Sequence, residues 1–190
     1  MAINRLSDVV GPANGLVKIT PTSVSVGSGS ASVDATGSVL IGAAVSSVTV
    51  NGAFSSAYDN YLIQVVGGAG SAATNCALTL GSASTGYYSA GMYTLYTGAT
   101  VTGFNTNNGS SFANSVAVRT NNMIGEIKLF APNLAKTTGF ETIGIEPSTD
   151  GAAVIRKGFL NDTTQHTSFT LTPGSGTLTG GTIRIYGYNN

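Results

Sequence analysis

Between Met123 and Phe130 the chain alternates: Ile127 and Leu129 are apolar, Glu126 and Lys128 are charged, and Pro132 follows the run. A period of two marks a strand with one face in a core and one in water, because successive side chains leave opposite faces of the backbone. The last segment, Thr182 to Tyr188, does the same, with Ile183 and Ile185 pointing one way and Arg184, Tyr186 and Tyr188 the other. Further short segments rich in Thr, Val, Ile and Tyr recur along most of the chain, with turn-forming Gly, Asn, Ser or Pro between them. They include Val17 to Thr20, Ser23 to Val26, Val39 to Val45, Ser47 to Val50, Ala77 to Leu80, Ala99 to Phe104 and Ala113 to Arg119. Gly139 to Ile145, Ala152 to Leu160 and His166 to Thr172 continue the series. Turn signals at roughly 8–12-residue spacing are expected of a β-sandwich or barrel. The pattern predicts an all-β chain, an antiparallel jelly-roll-like β-sandwich over residues 16–190.

Two stretches depart from that regularity. Met1 to Gly15 places Ile3, Leu6 and Val10 at helical spacing before Gly11-Pro12 stops the pattern. So short a helix is marginal alone in water, so the segment is expected to be an assembly anchor docked on other subunits. Tyr61, Ile63 and Val65 alternate with Leu62, Gln64 and Val66, which makes that strand apolar on both faces. A strand hidden on both sides suits the centre of a sandwich or a contact between copies, and Tyr61, Ile63 and Val65 are the expected oligomer interface. Asn51-Gly52 favours a hairpin turn, and Asn105 to Ser111 reads as a loop by composition.

Charge restricts the function classes. Only 8% of the 190 residues are charged, eight basic against eight acidic. Lys18, Arg119, Lys128 and Arg184 are scattered, whereas a nucleic-acid binder clusters its cations to neutralise phosphates; no nucleic-acid partner is expected. The longest apolar run, Val39 to Val45, falls far short of the ~20 residues of a membrane span, and no secretory signal is visible at Met1 to Arg5. Cys76 is the only cysteine, which rules out an internal disulfide and suits a small buried residue. Folding and assembly in a reducing cytoplasm follow as an expectation.

Catalytic signatures are thin. His166 is the only histidine and is expected on a strand as an exposed or hydrogen-bonded side chain; a Ser-His-Asp set could form only around it. No Gly-x-Ser-x-Gly elbow is present, and so few His and Cys residues disfavour a transition-metal site. Glu141 and Glu146 are five apart, so on one strand they point to opposite faces. No enzyme activity, metal or cofactor is expected. The tyrosines are more suggestive. Tyr87, Tyr88, Tyr93 and Tyr96 crowd one segment, and tyrosine supplies contact area with a hydroxyl for recognition; these four are the candidate glycan contacts.

One stretch resembles a known pattern. Phe54-Ser55-Ser56-Ala57-Tyr58-Asp59-Asn60-Tyr61 is similar to a Phe-Ser-x-x-Tyr-x-x-Tyr turn that leads into a central strand in small structural proteins of tailed bacteriophages. Gly180-Gly181-Thr182-Ile183-Arg184-Ile185-Tyr186-Gly187-Tyr188 is similar to the closing strand of the same proteins. The resemblance implies a β-sandwich subunit of a virion, usually a homotrimer, on a tail fibre or spike or decorating the capsid. Met1 to Gly15 would then contact other virion proteins. The alternative expectation is a receptor-recognition module that binds host-surface carbohydrate.

Overall fold

The structure, a computed structural model, describes residues 15–149 and 151–188. The expected anchor side chains Ile3, Leu6 and Val10 lie outside the described residues. Among the described residues every regular element is a strand. In chain order these are β1 (Leu16–Ile19), β2 (Ser23–Val26), β3 (Ala31–Val33), β4 (Val39–Ile41), β5 (Val48–Asn51) and β6 (Asn60–Val66). They continue as β7 (Ala69–Gly70), β8 (Thr74–Leu80), β9 (Tyr87–Leu95), β10 (Val101–Gly109), β11 (Phe112–Val118) and β12 (Met123–Phe130). The last are β13 (Thr138–Ile145), β14 (Ala152–Leu160), β15 (Phe169–Pro173), β16 (Leu178–Thr179) and β17 (Thr182–Tyr188). Adjacent strands pair antiparallel throughout, as the alternating pattern requires.

The sheet has two halves. One runs β2-β5-β15-β8-β11; the other runs β6-β12-β13-β14-β9-β10, with β17 on the far side of β6. A short pairing of β11 with β12, Ala117 opposite Ile124 and Val118 opposite Met123, joins the halves. The sheet folds over there, and the inner faces meet in a β-sandwich-like core. Phe112 of β11 stacks on Phe140 of β13 at 4.2 Å and meets Tyr87 of β9 edge-on at 4.8 Å. Phe54 bridges the opposite end, 4.9 Å from Tyr61 of β6 and 5.8 Å from Phe169 of β15. Each such aromatic buries enough apolar surface to contribute about 2 kcal/mol or more. The alternations in β12 and β17 appear as read: Ile127, Leu129, Ile183 and Ile185 are buried, and the charged residues between them face outward. Cys76 is buried among them, and burial pushes its thiol up to about 12.

Three local expectations are corrected. Gly52 has the positive φ of 66° foreseen for Asn51-Gly52, but β5 and β6 do not pair with each other. The chain instead crosses from one layer to the other, and Ala53 and Phe54 dock on the carbonyl of Thr167 through their backbone N–H groups. The Asn-rich stretch expected as a loop forms most of β10, an edge strand whose backbone is satisfied by β9 and whose polar side chains face water. A bulge between Thr106 and Gly109, with Asn108 at φ 50°, interrupts that pairing before Gly109 resumes it opposite Tyr87. His166 is neither on a strand nor exposed; it is buried in the segment preceding β15, where its backbone N–H bonds Pro132 O and its carbonyl accepts from Asn133 Nδ2.

The two stretches that carry the family resemblance touch one another. The Ser55 N–H donates to Tyr61 Oη at 2.8 Å, and the Tyr61 hydroxyl donates back to Ser55 O at 2.7 Å, clamping the turn onto the start of β6. In β17, Gly187 lies opposite Tyr61, and the ring of Tyr58 occupies the space a side chain at 187 would need.

Candidate functional site

A cavity opens where the sheet branches. Beyond Ile127 opposite Thr142, β13 no longer follows β12, which pairs with β11 instead. On its other edge β11 loses register with β8 between Phe112 and Val116, and Asn114 in that irregularity takes a φ of 54°. The layers are wedged apart, leaving a cavity of about 380 Å³ lined by parts of β8 to β14.

Its walls are mainly apolar. Tyr93 of β9 and Phe104 of β10 lie side by side, centroids 6.1 Å apart and planes at 30°, with Leu95 and Val154 beside them. The polar groups are few and fixed. Glu146, just past β13, forms an ion pair with Arg119 at 2.7 Å and accepts from Asn75 Nδ2 at 3.2 Å. Arg119 is itself held by the carbonyls of Thr74 and Val118. Asn75 Oδ1 is buried without a partner, and Asn114 is exposed at the cavity. Behind Phe104, the Arg156 guanidinium lies 4.3 Å from the ring centroid. Arg156 is 2% exposed, and burial lowers its pKa.

Among the described residues Glu146 is the only carboxylate lining the cavity, whereas a hydrolase working on glycosidic bonds needs two across a cleft. His166 lies elsewhere, with Asp162 Oδ2 3.7 Å from its Nε2. Among the described residues no three His, Cys, Asp or Glu side chains group to hold a metal.

The structure separates the four candidate glycan tyrosines. Tyr87 is in the core, its hydroxyl accepting from Leu80 N–H and donating to Ala83 O. Tyr88 points the opposite way, stacked on Phe159 at 5.1 Å on the outer sheet face. Tyr96 is exposed past the end of β9. Only Tyr93 reaches the cavity. Alternation along one strand sends neighbours to opposite faces, so a run of tyrosines in sequence is not a cluster in space. The expected interface is corrected too: Tyr61, Ile63 and Val65 are wholly buried between β12 and β17 in their own chain and offer no surface to a second copy.

Exposed apolar surface gathers on the outer face of β13, β14, β9 and β10. Ile143, Ile155 and Met92 stand directly opposite one another across three strands, 58%, 46% and 53% exposed. Ile145 and Val101 flank that row on one side, and Phe159 and Phe130 on the other. The two charges within the face, Glu141 and Lys157, are opposite in register and pair at 3.3 Å. Period-two alternation shows Ile143 and Ile145 on the face opposite Phe140 and Thr142; nothing in the local sequence says that this second face lacks a cover. No protein-family model, no curated protein and no solved structure matches this chain.

Proposed function

We propose that this chain is a structural protein of a bacteriophage virion, displayed on the particle surface as a capsid decoration or fibre subunit and assembled from several copies. The apolar outer face of β13, β14, β9 and β10 carries the assembly reading. Scattered exposed apolar residues are ordinary, but a contiguous face of them in lateral register marks a contact surface. With strands of eight or nine residues, a rise of ~3.3 Å and a spacing of ~4.8 Å give a face on the order of 500 Å². Two copies joined through it would bury about 1,000 Å², the lower bound for a specific interface. A further copy fits best, because the face is electrically neutral once Glu141 and Lys157 pair, and a neutral apolar patch needs no partner of opposite charge.

The virion half of the reading draws on the resemblance of Phe54 to Tyr61 and Gly180 to Tyr188. In it, Met1 to Gly15 contacts other virion proteins and three copies associate. The same reading takes the fold as a jelly roll with an added hairpin. With β13 and β14 set aside, the strand orders β5-β15-β8-β11 and β6-β12-β9-β10 correspond to eight strands wound as two Greek keys. The role is architectural, with no catalytic step.

Sedimentation velocity at micromolar concentrations tests the contact. The wild-type chain should sediment as an oligomer, and Met92→Glu combined with Ile155→Glu should give a monomer with an unchanged far-UV spectrum. A wild-type monomer would sink the oligomer reading altogether. An oligomer that survives both substitutions would remove this face from it.

A further inference from the structure

We propose that the cavity between β9, β11 and β13 binds an uncharged saccharide. It has the form of a ligand site: a concavity with mostly apolar walls and a small number of placed polar groups. The rings of Tyr93 and Phe104 offer flat apolar surface to the C–H face of a sugar ring. Phe104 is held from behind by Arg156, so its plane is set before any ligand arrives.

The polar groups select hydroxyls. Glu146 is immobilised by Arg119 and Asn75, and its remaining lone pairs can accept O–H donors. Asn114 brings an amide able both to donate and to accept. Among the described residues Arg119 already neutralises the one carboxylate in the lining, and Arg156 is shut away behind the Phe104 ring, so these residues present no unpaired charge to an ionic ligand. The inference rests on the virion reading only for the source of the saccharide, a host cell surface; the binding itself does not depend on it.

The test is an amide NMR titration of the full-length chain with glucose, galactose, mannose, N-acetylglucosamine, maltose and lactose, each up to tens of millimolar. At least one sugar should give saturable shifts centred on Asn114, Gly125 and Gly144. Tyr93→Ala should weaken binding tenfold or more. Asn114→Gly removes the amide while keeping a residue at ease with positive φ, so it should weaken binding severalfold with the fold intact even if Tyr93→Ala does not fold. Three results would overturn the proposal: no saturable shift with any sugar, shifts centred elsewhere, or undiminished binding by Asn114→Gly. Tighter binding of glucuronate than of glucose would overturn the uncharged class. Sedimentation of the same samples reads self-association separately, so a failed titration of an intact oligomer counts against the saccharide alone.

Discussion

A Cβ built on Gly187 would collide with the aromatic ring of Tyr58, and the ring cannot easily retreat because Tyr58 packs edge-on against Tyr61 at 6.1 Å. Tyr61 in turn is tied to Ser55 by two hydrogen bonds. One absent methyl group thus lets the turn before β6 seat on the closing strand. Gly187→Ala should therefore destabilise the protein by about 1–3 kcal/mol, the usual cost of overpacking. In a Tyr58→Ala background the same change should cost much less, because the space is then free. Urea unfolding of the two single variants and the double variant measures the coupling; additive effects would show that Tyr58 is not what Gly187 accommodates. At this scale the sequence was partly legible. A glycine inside a strand signals a close approach, but the ring that approaches comes from more than a hundred positions away, and no local pattern names it. The doubly apolar strand at Tyr61 was read as hidden on both faces, but only one is fully so: Tyr61, Ile63 and Val65 are wholly buried, while on the other face Leu62 is buried and Val66 is 39% exposed, and spacing alone does not reveal which face the rest of the chain covers.

Among elements, most strands were visible from their alternation, while the second half of β10, from Asn105, was obscured by its own composition. An edge strand needs only one partner for its backbone and can expose polar side chains, so Asn105, Asn107 and Asn108 carry a loop-like composition on a paired strand. Gly91 of β9 lies opposite both Phe104 of β10 and Arg156 of β14. A Cβ at 91 would stand 2.6 Å from the Phe104 ring, so its absence lets the ring cross the strand and meet the guanidinium. The result is a buried cation that forms no ion pair among the described residues. Its Nη1 bonds Ser89 Oγ at 3.3 Å, and its Nε has no partner. Desolvating a cation costs more than one weak hydrogen bond and a ring contact return. Arg156→Met, which fills similar space without charge, should raise stability by about 1–3 kcal/mol in urea unfolding. A loss of stability would mean that the ring contact and the Ser89 bond outweigh desolvation.

For the molecule as a whole, scarcity of charge restricts how pH acts on stability. Few groups are strongly displaced from their ordinary values, and they act at opposite ends of the scale. Burial lowers the pKa of His166, and the Asp162 carboxylate opposes this without cancelling it. Below about pH 6.5 the unfolded chain therefore takes up a proton that the native imidazole does not. Stability should fall with acidification, by up to about 1.4 kcal/mol per pH unit, until the native value is reached. Asp34 and Asp162, lowered by hydrogen bonds from Ser38, Thr36 and Thr164, add their loss only below about pH 4. At the alkaline end the sign reverses in the same logic. Cys76, pushed up to about 12, and Tyr87, raised by burial, keep protons that the unfolded chain releases from about pH 8.5 upward, so stability declines there as well. Between these limbs, from about pH 6.5 to about 8.5, unfolding should be nearly independent of pH. Denaturation midpoints across that range measure the profile, and His166→Gln should erase the acid limb above pH 5 while leaving the alkaline one. An acid limb that persists in His166→Gln would place its origin in surface charge, and would contradict the view that this fold is held by apolar layers with little help from ions.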